Sequence, residues 1–230
     1  MPVLAVIPAR GGSRRLPRKN ILPFEGSPLL TWTVVAARNS GEFDHVVVST
    51  DDVEIAEIGR EVGADVPFLR DRACDDYARA AEATLRTIEQ AEDFFSVEYE
   101  TVVQLMPNCP LRSADVITDA LTAFRDNDRD FQVSVFSQPS VNGWWAVQLG
   151  AEGVLQPMFE NTLKSRSQDL PPTYFPTGAV WIARKAKLRV ARTFYGEGVT
   201  GHPTPKKILT GRAHLQGLCG IERCPALPRI

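Results

Sequence analysis

Much of what would assign this chain quickly is missing from it. Neither sign of charge is in excess: Lys and Arg number 26 and Asp and Glu 28, a formal net charge of −2. Such a balance argues against a general nucleic-acid or anionic-membrane binder, so any basic site must come from local clustering. No stretch reaches the ~18 consecutive apolar residues of a membrane-spanning helix. The first residues lack a basic segment followed by a long apolar run, so no secretory leader is expected and a cytoplasmic location is. The four cysteines, Cys74, Cys109, Cys219 and Cys224, form no CxxC pair. No histidine cluster accompanies the Cys219/Cys224 spacing, so reduced thiols are expected rather than disulfides or a zinc site. Internal repeats and low-complexity linkers are absent too.

What is there suits one α/β domain spanning residues 1–230. Apolar residues make up 43% of the chain, enough for a sizeable core. Val3–Ile7 is a short apolar run stopped by Pro8 and reads as a buried strand. Pro28–Asn39 has helical spacing, with Ser27 as expected N-cap and Pro28 as first helical residue. His45–Thr50 reads as a second buried strand, and Val53–Val62 as a helix stopped by Gly63. A longer helix is expected over Arg79–Phe95, a strand over Thr101–Met106, a helix over Ser113–Arg125 capped by Ser113, and a strand over Phe131–Phe136. This alternation predicts a mostly parallel sheet with helices on both faces. Ligands then bind beyond the C-terminal ends of the strands, which singles out the loops after Ile7, Thr50 and Met106. Residues 138–176 break the pattern with many polar residues around Trp144, Trp145, Phe159, Tyr174 and Phe175. A long irregular excursion of this kind is usually functional or covered by a partner. Gly178–Ala183 reads as a strand again.

The loop after the first strand carries the sharpest signal. Pro8–Asn20 reads PARGGSRRLPRKN, with five cations (Arg10, Arg14, Arg15, Arg18, Lys19) and no acid. Gly11 and Gly12 let the backbone approach an anion closely, and Ser13 adds a hydroxyl donor. Arginine offers planar forked donors and lysine a point charge, a set that suits a triphosphate. The loop is spelled neither GxxxxGK[ST] nor GxGxxG, so it is not a Walker or dinucleotide loop.

IPARGGSRRLPRKN resembles the signature of the cytidylyltransferases that make CMP-activated acidic sugars. These are the N-acylneuraminate, pseudaminate and legionaminate enzymes, with 3-deoxy-octulosonate enzymes more distant. VVVSTDD at 46–52, VPFLRD at 66–71, MPNCPLR at 106–112 and RSQDLPPTYFPTGAVWI at 166–182 resemble further family segments in the same order. The resemblance implies a fold of the nucleotide-diphospho-sugar transferase type with a protruding dimerisation arm over about 138–176. It also implies CTP and an acidic nine-carbon sugar as partners, Mg²⁺ as cofactor, and a homodimer.

Roles carry over position by position as what the resemblance implies. Arg10, Gly11, Ser13, Arg14, Lys19 and Asn20 would hold the CTP phosphates and ribose, with Arg10 and Lys19 as catalytic cations. Arg14 stands where the family usually has Lys. Arg70 would read cytosine, whose O2 and N3 acceptors suit its forked donors. Met106 and Pro107 would lie beneath the base; the family often has Gln at the position of Met106, and a thioether cannot supply an amide's hydrogen bonds. Arg166, Gln168 and Asp169 match the sugar-binding stretch, where Arg166 would clamp the sugar's carboxylate. Phe175, Pro176, Thr177 and Gly178 replace a more polar family string.

One family feature has no counterpart. The Asp-x-Asp that binds metal near the family's C-terminus is missing, because no Asp follows Asp169. The metal ligands are therefore unassigned, with Asp51 and Asp52 as the candidates after the second strand. Two alternatives stay open on the sequence: a CTP-binding homologue with little or no catalysis, and a cytidylyltransferase for 3-deoxy-octulosonate.

Overall fold

The computed structural model describes residues 1–12, 16–72, 80–137 and 142–205. In chain order the strands are β1 (Val3–Pro8), β2 (Pro23–Phe24), β3 (Ser27–Pro28), β4 (His45–Ser49), β5 (Thr101–Gln104), β6 (Phe131–Ser137), β7 (Val147–Leu149), β8 (Leu155–Pro157), β9 (Tyr174–Arg184) and β10 (Thr200–Pro203). The helices are α1 (Leu29–Ser40), α2 (Val53–Glu61), α3 (Ala80–Phe95), α4 (Ala114–Asp126) and α5 (Lys185–Ala191). Six strands form one sheet in the order β10-β6-β9-β5-β1-β4. β1 runs parallel to β4 and β5, and β10 parallel to β6. Only β9 is antiparallel to its neighbours β5 and β6, so the sheet is mostly parallel.

The near-continuous apolar strands are explained by burial on both faces. Along β1, Val3, Ala5 and Ile7 enter one core with residues of α1, α2 and α4. Leu4 and Val6 enter the other, with Leu85 and Ile88 of α3 and Leu188 of α5. Alternate residues of β4 and β5 divide in the same way, with Val46, Val48 and Val103 on the first side and Val47 and Val102 on the second.

Several boundaries differ from the pattern reading. Ser27 and Pro28 are not a cap and a first helical residue. They pair with β2 around Glu25 and Gly26, both at positive φ (48° and 82°), as a two-residue hairpin turn of mirror-image type requires. Helix α1 accordingly starts at Leu29 with Pro28 as its N-cap. Ser113 stands at the N-cap of α4, but its side chain makes no capping bond. The strand after α3 ends at Gln104, two residues before Met106. β9 begins at Tyr174, so Tyr174–Pro176 belong to the sheet rather than to the excursion. Helix α5 and β10 have too few apolar residues in period to read from sequence. Gly196–Gly201 spells GxGxxG, but it joins α5 to β10 rather than a strand to a helix, and Gly196 serves to pack on the Phe131 ring. Arg79, the start of the excursion at 138, Cys74, Cys219 and Cys224, and the segment after 205 lie outside the described residues. Cys109 is buried. Among the described residues no helix is long and apolar enough to cross a membrane.

Candidate active site

The parallel strands β1, β4 and β5 end at one edge of the sheet, and the three loops singled out by the sequence meet there. The first is the glycine loop. Ala9 donates its N–H to Ser49 O at 2.9 Å, which ties the loop's base to the end of β4. Gly11 donates its N–H to Asp51 Oδ1 at 2.9 Å. A Cβ on Gly11 would lie 2.4 Å from Asp52 Oδ2, so only glycine fits against that carboxylate. Buried Asn20 donates from Nδ2 to Arg10 O at 3.0 Å and closes the loop from inside. Arg10 and Lys19 flank it, half-buried. Ser13, Arg14 and Arg15 lie outside the described residues.

The acids after β4 organise this loop. Asp52 Oδ1 accepts from Ile55 N at 3.1 Å and caps α2. Its Oδ2 accepts from Arg18 Nη1 at 2.5 Å, and Arg18 also pairs with Glu54. Burial works to raise the Asp52 carboxyl, but the bonds from Ile55 and Arg18 outweigh it and hold it below its ordinary value. Both aspartates are thus engaged by the loop and the helix cap. Among the described residues no group of three or more His, Cys, Asp or Glu could hold a metal ion.

Arg70 is brought to the second loop and is buried. Its N–H donates to Thr50 O at 2.7 Å, and its Nη1 donates to Ser49 O and Ser49 Oγ, both at 2.8 Å. Nε donates to Arg72 O at 3.2 Å. Ser49 Oγ in turn meets Thr87 Oγ1 at 2.5 Å, so helix α3 supports the arginine from behind.

The third loop carries Met106 and Pro107. Met106 N donates to Gly178 O at 3.2 Å. Gln104, wholly buried, accepts from Thr84 Oγ1 at 2.7 Å through Oε1 and turns Nε2 toward Met106 Sδ at 3.7 Å. Opposite lies a β-bulge. Register jumps from Val133–Trp181 to Val135–Pro176, so Ser134 faces the whole stretch Thr177–Val180. Ser134 Oγ meets Thr177 Oγ1 at 2.5 Å and accepts from Val180 N at 3.0 Å, which satisfies the kinked backbone. Arg112 Nη1 reaches across to Ala179 O at 2.6 Å. Burial pulls this guanidinium down to about 10 against the opposing influence of Cys109.

The sugar-stretch residues sit on the arm. Arg166 and Asp169 form a forked pair with each other, at 2.7 and 3.1 Å, with the Arg166 side chain 73% exposed. Gln168 lines a cavity of about 270 Å³ together with Ser137, Asn142, Ser167 and Thr173, none of them charged. The structure therefore gathers Arg10, Gly11, Lys19, Asn20, Arg70, Met106 and Pro107 at one sheet edge. Arg166, Gln168 and Asp169 lie on the arm, where the Gln168 cavity reaches Ser137 at the C-terminal end of β6, on that same edge. Sequence reasoning missed Gln104, Ser134 and Arg112. Arg112 is spelled within the MPNCPLR string, but nothing in its pattern separates a buried arginine from a solvated one.

Comparison with known proteins agrees with this geometry. The cytidylyltransferase family profile matches residues 4–143. The chain is 38% identical to a pseudaminic acid cytidylyltransferase of Campylobacter jejuni over 185 residues, covering 79% of this chain and 78% of that protein. It is 34% identical to a CMP-N,N'-diacetyllegionaminic acid synthase of Legionella pneumophila over 202 residues, covering 86% and 84%. Among solved structures, a CMP:2-keto-3-deoxy-manno-octonic acid synthetase complexed with CTP matches with a TM-score of 0.64 at 17% identity, over 95% of this chain and all of that one. That likeness shows the nucleotide-diphospho-sugar transferase fold and nothing finer. The catalytically weak alternative is not favoured by these relatives. The glycine loop, the buried arginine and the Met106 loop on one sheet edge, with the matched profile, establish that this chain belongs to the cytidylyltransferase family and is a nucleotidyltransferase.

Proposed function

We propose that the chain couples CTP to an N-acylated nine-carbon sugar acid of the sialic type, forming a CMP-sugar and pyrophosphate. The observation that carries this is the identity of 34–38% to two nonulosonate enzymes over about four-fifths of the chain or more. The anomeric hydroxyl of the sugar attacks the α-phosphorus of CTP and pyrophosphate leaves. Arg10 and Lys19 offset charge on the transferring phosphoryl group, and the Gly11 backbone lets it approach closely. Transfer of this kind depends mostly on positioning and charge neutralisation. Ser13, Arg14 and Asn20 complete the phosphate and ribose contacts, Arg70 faces the base, and Met106 and Pro107 lie beneath it. Mg²⁺ is held through hard oxygens, often with substrate phosphates among them. Asp51 and Asp52 are the nearest carboxylates that would hold it together with the phosphates of CTP, and it would supply neutralisation of the phosphoryl charge.

Assembly follows from the arm. Leu149, Val154 and Leu155 are exposed at 74, 60 and 58%. Clustered exposed apolar side chains mark an interface, and a homodimer through the arm covers them and brings the exposed Arg166 toward the partner's site. The reaction belongs in the cytoplasm, where CTP is at hand.

A pyrophosphate-release assay tests the reading. CTP, UTP, ATP and GTP are each paired with pseudaminate, legionaminate, N-acetylneuraminate and 3-deoxy-octulosonate. CTP with at least one nonulosonate is expected to give product, and the octulosonate none. Equal use of all four nucleotides, or octulosonate as sole acceptor, overturns it.

A further inference from the structure

The Met106 loop and the β9 bulge meet along a seam, and one side chain crosses it. Arg112 is 2% exposed. Its Nη1 donates to Met106 O at 3.3 Å and to Ala179 O at 2.6 Å. The seam is tight: a Cβ on Gly178 would lie 3.0 Å from Met106 Cγ. Both bonds of the guanidinium go to backbone carbonyls, and Nε and Nη2 have no hydrogen-bond partner.

Stability alone explains this arrangement poorly. A buried cation with unsatisfied donors is a costly filler, and well-packed apolar residues commonly replace buried charges without loss. What arginine offers that an apolar side chain does not is a rigid, planar set of donors able to bind two carbonyls at a fixed spacing. Those carbonyls belong to the two sides of the site: the loop beneath the base and the bulge that continues from the sugar-binding stretch. We propose that Arg112 is a positioning residue whose guanidinium staples the Met106 loop to the β9 bulge and so fixes the nucleotide subsite against the acceptor subsite. The inference rests on the nucleotide and acceptor reading given above.

The test compares wild type, Arg112→Lys and Arg112→Met by kcat/KM for CTP and UTP and by KM for the sugar acid. Misplacement of about 1 Å far from the chemistry can cost ~10²-fold. Arg112→Met is expected to lose about that much kcat/KM with CTP, to narrow the CTP-to-UTP ratio and to raise the KM for the sugar. Arg112→Lys, with its charge kept and its planar fork lost, is expected to fall between. The nucleotide ratio and the KM are independent of the fraction of protein that folds, so a purely structural role leaves them unmoved. Unchanged ratio and KM in Arg112→Met, whatever its melting temperature, overturn the proposal. Should Arg112→Met not fold, Gly178→Ala presses on the same seam without touching the arginine, and the same shift is expected; an unchanged ratio and KM there overturn it equally. A wild-type enzyme without preference for CTP removes the reading beneath this one, and that result is distinct because it precedes any variant.

Discussion

The glycine loop and the arm are built in opposite ways. The loop is pinned to the sheet by long-range bonds: Gly11 to Asp51, Asn20 to Arg10 O, Ala9 to Ser49 O. Its backbone at Ala9 and Gly11 is held without any ligand, so binding there need not supply the ordering. The arm is held largely by its own neighbours. Gly143–Trp145 is a single turn capped by Asn142, β7 pairs with its neighbour β8, and Arg166 bonds Asp169 three residues away. Its large apolar groups remain exposed. The comparison teaches that long-range bonds to the sheet fix the loop, whereas the arm rests on short-range ones.

Removing the loop's cations should break the first half of that contrast most strongly. Loss of one preorganised charge-stabilising donor typically costs ~10²–10³ in rate. Arg10→Ala and Lys19→Ala are each expected to lower kcat/KM for CTP by about that factor. Steady-state kinetics check it, with calorimetric titration of CTP to separate binding from turnover. Rates within twofold of wild type in both variants would place the phosphates elsewhere.

The arm should respond in assembly rather than in chemistry. Leu149 and Leu155 face each other across the β7–β8 ribbon, both exposed. Truncation of an interface anchor costs about 2 kcal/mol or more. Leu149→Glu is therefore expected to weaken the dimer roughly 10–10²-fold, read by sedimentation over a concentration series. A wild-type chain that stays monomeric at micromolar concentration would remove the contrast altogether.

The same division decided what the sequence could show. Strands β1, β4 and β5 were legible because burial on both faces leaves uninterrupted apolar runs, and the loops at their ends followed from parallel topology. The glycine loop stood out because it gathers five cations without an acid of its own, although Arg18 finds its carboxylates in Asp52 and Glu54 after the second strand. The acids that restrain it were not legible, since nothing in the pattern around Asp52 shows that it caps α2 and pairs with Arg18. The bulge at Thr177–Ala179 was hidden because a bulge changes pairing, not composition. Arg112 stayed hidden because burial of an arginine is a property of what surrounds it in space.

The smallest effect sharpens the loop side and concerns Asp52. A carboxyl whose folded pKa is depressed contributes stability that is fully present above its unfolded value near 3.8 and is lost as pH falls through the folded value. Arg18 is 39% exposed, so screening by water keeps the pair to less than about 1 kcal/mol. Asp52→Asn keeps an acceptor for Ile55 N, because asparagine caps helices as well as aspartate does. It removes only the charge that meets Arg18. The two proteins are therefore expected to melt about 2–4 °C apart at most between pH 5 and 7, and the gap is expected to close as the pH drops below 3.8. Thermal melts of both from pH 7 to 3 measure this. A gap that stays constant over the range would show that Asp52 restrains the loop through shape rather than charge. The 2.4 Å approach that excludes a side chain at Gly11 would then be the whole of its role there.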